Sequence, residues 1–163
     1  MLTEHFKIRS LVIILAVLLT SLSACQTADV RPETSLIKWR TLAEGRAEAH
    51  EKNMPCLVDF YFGEGCPRCV LLDQKVYSDP ATANRINSHF VPVRIDLAGK
   101  LSGEEKKLAK HMETGGECML LFLHASGKPV TTTKGHRICS MDMISPEQFA
   151  GYLDQALENI GRE

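Results

Sequence analysis

Cys56-Leu57-Val58-Asp59-Phe60-Tyr61-Phe62-Gly63-Glu64-Gly65-Cys66-Pro67-Arg68-Cys69 joins a short apolar, aromatic run to a pair of cysteines, and the reading of this stretch decides the fold. The run from Cys56 to Phe62, bounded by Pro55 and Gly63, predicts a strand. Gly63-Glu64-Gly65 turns the chain, and Cys66-Pro67-Arg68-Cys69 opens a helix to about Val76. A C-x-x-C at the first turn of a helix has a definite chemical use. Free backbone N–H groups and the positive end of the helix dipole stabilise a thiolate there. Pro67 suits the first helical position, where its missing N–H costs nothing. Arg68 adds positive charge near both sulfurs. Cys66, at the exposed end, is the candidate attacking thiol, and Cys69, a turn deeper, the candidate resolving thiol. A permanent structural bridge and half of a zinc site are the competing readings. A two-residue spacing constrains little of the unfolded chain. The second ligand pair that zinc would want is absent from the sequence. Redox chemistry is the preferred reading.

Outward from this stretch, helices and strands alternate. Asp79 with Pro80 behind it predicts a helix to about Ser88, and Phe90 to Leu97 predicts a strand. Ser102 and Glu105 form a capping box for a helix carrying Leu108 and Met112. Met119 to Leu123 reads as a strand, Ala125-Ser126-Gly127-Lys128 as a turn, and Val130 to Ile138 as the second strand of a hairpin. Ser145-Pro146-Glu147-Gln148 starts the last helix, with Phe149, Leu153, Ala156, Leu157 and Ile160 as its apolar face. On the N-terminal side, Ser35 is placed as the cap of a first helix carrying Leu36, Trp39, Ala43, Ala47 and His50, broken by Asn53-Met54-Pro55. The pattern predicts an α/β fold, a central mixed β-sheet flanked by helices. Strands separated by helices should pair in parallel, with an antiparallel hairpin at the edge.

Residues 1–24 read as an export address. Lys7 and Arg9 precede an apolar run from Leu11 to Leu19 that reaches Leu22, shorter than the roughly 20 apolar residues of a spanning helix. The run ends in Leu22-Ser23-Ala24-Cys25, which resembles the bacterial lipobox and makes Cys25 the expected lipidation site. Gln26 after that cysteine favours the outer membrane, facing the periplasm, by resemblance to lipoprotein sorting. Residues 25–35 are then the lipidated cysteine and a polar tether, and 36–163 the folded domain. A chain of 163 residues, 44% of them hydrophobic, supports one core. A net charge of −1, from 19 basic and 20 acidic residues, leaves no basic stripe for nucleic acid.

From about Asn53 to Leu157 the chain resembles the thioredoxin superfamily. Within it, the resemblance is greatest to the periplasmic C-terminal domain of the transmembrane thiol:disulfide interchange (disulfide reductase) family. Val58-Asp59-Phe60-Tyr61 before the cysteines and Val76-Tyr77-Ser78-Asp79-Pro80 after them carry the likeness. Val91 to Asp96, Leu120-Leu121-Phe122 with Ser126-Gly127, and Ser145-Pro146-Glu147-Gln148-Phe149 continue it. The resemblance implies a thioredoxin-like fold, exchange with periplasmic protein dithiols and disulfides, and a membrane or periplasmic redox partner. No cofactor and no metal is expected. Direction is open, because Arg68 and the helix terminus favour the reduced form, hence an oxidant, whereas the family favours a reductant.

Three departures from the family bear on the site. Gly65 stands where the family has a tryptophan, so a flat apolar surface beside the sulfurs is lost. Asp59 lies seven residues before Cys66, one further than the family's buried acid. The extra residue in Gly63-Glu64-Gly65 would restore Asp59 to the strand, where a buried carboxylate could take the proton of Cys69. A strand-edge carboxylate facing water is the equal alternative. Finally, the loop that faces the cysteines carries a cis-proline in the family, and Gly116 and Cys118 fall on that pattern, with Cys118 in the proline slot. A cis bond before a non-proline residue costs about 2.5–4 kcal/mol, against about 0.5–1 kcal/mol before proline, so Glu117–Cys118 is expected to be trans. Cys118 is then either a third sulfur in a substrate loop or a small buried hydrophobe. Cys56 reads as core. Cys139 has the option of pairing with Cys118, and five cysteines besides Cys25 leave at least one unpaired within the chain. Two rival functions remain open: a soft-metal protein holding Cu(I) with Cys66, Cys69 and Cys118, and a redox-inert adaptor.

Overall fold

A computed structural model describes residues 35–63, 65–113 (111–113 by backbone alone), 120–136, 138 and 145–162, all within the unit Ser35–Glu163. Cys25, Glu64, Gly116, Glu117, Cys118, Met119 and Cys139 lie outside the described residues. In chain order the elements are α1 (Leu42–Lys52), β1 (Cys56–Tyr61), α2 (Pro67–Leu71), α3 (Pro80–His89), β2 (Val91–Asp96), α4 (Gly103–Glu113), β3 (Leu120–Leu123) and α5 (Pro146–Ile160). Directly after α2 the chain continues as a π-helical stretch, Leu72–Tyr77.

The caps form where the side-chain chemistry predicts them. Asp79 accepts the Thr82 N–H at 2.7 Å, Ser145 accepts that of Gln148 at 3.2 Å, and Ser102 and Glu105 bond reciprocally at 3.2 and 2.7 Å. The first helix differs from expectation. Ser35 accepts the N–H of Ile37 instead of capping a helix, and the helix begins at Leu42, where Thr41 and Glu44 form a complete capping box. The residues before it serve the sheet: Arg40 bridges to Val93 of β2, through Arg40 N–H to Pro92 carbonyl and Arg94 N–H to Arg40 carbonyl, both at 3.0 Å. The buried line of α1 is Leu42, Gly45 and Ala49 rather than Ala43 and Ala47. Gly45 is required there, because a Cβ would fall inside the Val93 side chain of β2.

The sheet order is β2-β1-β3. β1 pairs in parallel with β2, from Cys56↔Val91 to Tyr61↔Asp96. It pairs antiparallel with β3, from Cys56↔Leu123 to Asp59↔Leu120. The expectation of parallel pairing across helices therefore holds for β1 and β2 and fails for β3. β2 and β3 follow each other through α4 but are not neighbours, so no crossover between adjacent strands fixes the sense of β3. The expected hairpin is also reduced. Val130 donates to the Phe122 carbonyl at 2.8 Å and Leu123 bridges Pro129, but the described residues between 130 and 138 form no regular strand. A tight turn, Thr132 N–H to His136 carbonyl at 2.7 Å, interrupts it.

Side chains alternate across the strands, so β1 and β3 each feed two cores and β2 feeds one. Cys56, Val58 and Phe60 of β1 join Val91, Val93 and Ile95 of β2 and Leu121 and Leu123 of β3, under Leu42 and Ala49 of α1 and Leu108 of α4. On the opposite face Leu57, Leu120 and Phe122 meet Leu72, Val76 and Tyr77 of the π stretch, Ile86 of α3, and Phe149, Tyr152 and Leu153 of α5. In α5, Tyr152 joins the predicted face, while Leu157 and Ile160 are only partly buried. By the same alternation, Asp59 and its register partner Arg94 belong to this second face, where the π stretch that follows α2 packs.

Candidate active site

β1 delivers the chain to the cysteines through a turn in which Gly63 takes φ of 80°, a conformation that favours glycine, and its carbonyl accepts the Cys66 N–H at 3.2 Å. Cys66 is the N-cap of α2 and Pro67 its first residue. The Cys66 sulfur accepts the backbone N–H of Cys69 at 3.2 Å, and the Cys66 carbonyl accepts that of Val70 at 3.1 Å. The two cysteines form a disulfide with Cα atoms 5.3 Å apart. They differ in access: Cys66 is half-buried, whereas Cys69 is 4% exposed. Only the first sulfur can meet a partner without rearrangement. Arg68 is half-buried at the second helical position, and its charge reaches the phenol of Tyr152 in α5.

Asp59 resolves in favour of burial, at 3% exposure on β1. Burial pushes its carboxyl up to about 6, against the opposing pull of Arg94. The Arg94 guanidinium donates from Nε to Asp59 Oδ2 at 2.8 Å. Its other end donates from Nη2 to Asp73 Oδ1 at 2.6 Å and from Nη1 to Asp73 Oδ2 at 3.4 Å. Asp73 lies on the π stretch, one turn beyond Cys69. Three aromatic rings enclose the cation: the Arg94 Cζ is 4.2 Å from the Trp39 centroid, 4.7 Å from Tyr61 and 5.5 Å from Tyr77. Tyr77 Oη is buried with no hydrogen-bond partner among the described residues, and burial, then the negative charge of Asp59, holds it well above the usual phenol range.

Of the residues singled out in the sequence, the structure brings Cys66, Pro67, Arg68 and Cys69 together at the head of α2 and sets Asp59 on the sheet face against which the π stretch that continues α2 packs. Glu117, Cys118 and Cys25 lie outside the described residues. Cys56 is the free cysteine among the described residues; it is buried, and desolvation pushes its thiol up to about 11. Among the described residues no group of three or more His, Cys, Asp or Glu is placed to hold a metal. Sequence reasoning missed Arg94, Asp73 and the rings of Trp39, Tyr61 and Tyr77. An arginine between Val93 and Ile95 in a strand is one available signal, since a buried cation needs an acid. Phe62 was also missed as a surface group: it is 49% exposed, one of two large apolar side chains exposed among the described residues, and it precedes Gly63 in the cysteine loop.

Several solved structures share this architecture. The DsbH oxidoreductase superposes with a TM-score of 0.53 at 14% identity, covering 78% of this chain and 86% of that one. A thioredoxin from Thermus thermophilus gives 0.57 at 21% identity, covering 77% and 90%. A candidate disulphide-isomerase from Bacteroides thetaiotaomicron gives 0.56 at 25% identity, covering 76% and 95%. No curated protein matches the chain. The thioredoxin-like family model matches residues 38–125, and the chain therefore belongs to the thioredoxin-like family.

Proposed function

We propose that this chain is a thiol–disulfide oxidoreductase of the bacterial envelope, exchanging disulfides with periplasmic proteins. The observation that carries the reading is the asymmetric pair at the head of α2, with Cys66 half-buried and capping the helix and Cys69 buried behind it. The candidate disulphide-isomerase, at 25% identity and 95% coverage of its length, supports the same class. In the reducing direction the Cys66 thiolate attacks a substrate disulfide. One substrate sulfur leaves as a thiolate, and a Cys66–substrate disulfide forms. Cys69 then gives up its proton, attacks the Cys66 sulfur and releases the second substrate thiol, leaving the Cys66–Cys69 disulfide. Asp59, with a carboxyl near 6, is suited to take that proton at neutral pH. The oxidising direction is the same sequence reversed. Phe62, exposed in the loop before Cys66, offers an apolar contact to the substrate in place of the tryptophan replaced by Gly65. Glu117 and Cys118 belong in this reading to the loop that receives the substrate.

Cys66→Ser should abolish insulin or glutathione exchange. Cys69→Ser should accumulate mixed disulfides, because the attacking thiol remains and the resolving one is gone. Full activity in Cys66→Ser would end the oxidoreductase reading. The finer assignment, to a lipoprotein related to the periplasmic domain of the transmembrane disulfide reductases, rests on the lipobox at Cys25 and the order of elements. It requires acyl mass on Cys25 in membrane fractions, and a soluble chain beginning downstream of Cys25 would overturn it.

A further inference from the structure

We propose that Asp73 is a positioning residue for this exchange: it retains the Arg94 guanidinium when Asp59 takes up a proton, so the buried acid can leave its ion pair without leaving a buried cation unpaired. The inference rests on the proposed oxidoreductase function and adds a residue to it. One guanidinium serves two carboxylates with separate edges, Nε for Asp59 and the Nη pair for Asp73. The Arg94 side chain is 20% exposed, and removing one partner of a pair this buried is costly when nothing replaces it. Walls of Trp39, Tyr61 and Tyr77 hold the cation in place. With both acids ionised the cluster carries one net negative charge. When Asp59 binds a proton, a neutral Arg94–Asp73 pair joined through both Nη groups is left behind. The two acids are unequal in the required sense. The Asp59 side chain is 4% exposed and that of Asp73 34%, so the desolvation that favours a neutral carboxyl acts on Asp59.

The groups that bear on Asp59 come from every element around it. Arg94 comes from β2, and Asp73 and the neutral phenol of Tyr77 from the π stretch; β3 sets apolar Leu120 opposite. Asp73 and Arg94 push its proton affinity in opposite directions. Substituting them should therefore move Asp59 in opposite directions, which a merely structural role would not do.

The test titrates Asp59 by carbon-13 NMR of its side-chain carboxyl in the oxidised protein, where Cys66 and Cys69 do not titrate. Relative to wild type, Asp73→Asn should lower the Asp59 midpoint by about 1 pH unit, and Arg94→Met should raise it by a similar amount. Asp73→Glu should restore the wild-type midpoint, and the amide spectrum of each variant reports that it is folded. In the reduced protein the acidic limb of the exchange rate should follow the Asp73→Asn shift. An unmoved or raised midpoint in folded Asp73→Asn overturns the proposal, as does a moved midpoint that the exchange profile does not follow. Wild-type protein that exchanges no disulfide, while the midpoints move as stated, would instead overturn the oxidoreductase reading on which this use of Asp73 depends.

Discussion

The two faces of β1 are equally buried and both meet an apolar core, but only one of them also buries a carboxylate of the strand. Cys56, Val58 and Phe60 enter a face where β2 contributes Val91, Val93 and Ile95, and α1 and α4 close over an apolar core. Leu57 and Asp59 enter the other, where Arg94 and Asp73 form a charged cluster beside the helix that carries the cysteines. Ionised groups are costly on either face. Within β1 and β2 themselves, the buried carboxylate of Asp59 and its partner Arg94 fall on one face, so one side of these two strands is wholly apolar while the other combines an apolar core with an ion cluster. Burial alone does not distinguish the two; the company of the buried groups does.

Substitutions should separate the faces in the same way. The largest stability effect belongs to the apolar side: Phe60→Ala should cost about 3–5 kcal/mol in denaturant unfolding, while the pH dependence between about pH 4 and 6 stays in place. Loss of that pH dependence in Phe60→Ala would show the faces to be coupled. On the charged side the sign is reversed. Asp59 is raised from an ordinary 3.8 to about 6, so its contribution to stability is complete below about pH 4 and is lost as pH rises through about 6. A carboxyl midpoint raised by roughly two pH units corresponds to about 3 kcal/mol. Asp59→Asn, which mimics the protonated acid, should therefore stabilise the protein by up to about 3 kcal/mol above pH ~7 and flatten the profile below it. A destabilised Asp59→Asn at neutral pH would mean that the Arg94 pair outweighs the cost of burial.

Local chemistry in the sequence carried most of the elements. Pro55 and Gly63 bound β1, Asp79-Pro80 and Ser145-Pro146 start their helices, and Ser102 with Glu105 caps α4. The misreadings come from partners distant in sequence. Leu36 and Trp39 sit at helical spacing, but Arg40 is recruited as a bridge to Val93, and this displaces the helix start to the Thr41–Glu44 capping box. The sense of β3 depends on which strand it lies beside, not on the helix that precedes it. At the site, the cysteine pair and its asymmetry follow from position on a helix. The state of Asp59 does not, because it is decided by burial beneath elements distant in sequence and, in the opposite sense, by Arg94 in a neighbouring strand. Asp73 became visible only once the π stretch placed it against that arginine.

Whether Cys66 and Cys69 are a working redox couple or a structural bridge is decided by equilibrating folded protein against graded glutathione buffers, alkylating free thiols, and weighing the peptide that carries both cysteines. A working couple shows one reversible two-electron transition in which that peptide gains two alkyl groups together, while the fold persists and buried Cys56 stays unlabelled until denaturation. This is the expected result. A peptide that stays unmodified at every ratio, or that is labelled only when the protein unfolds, would contradict it.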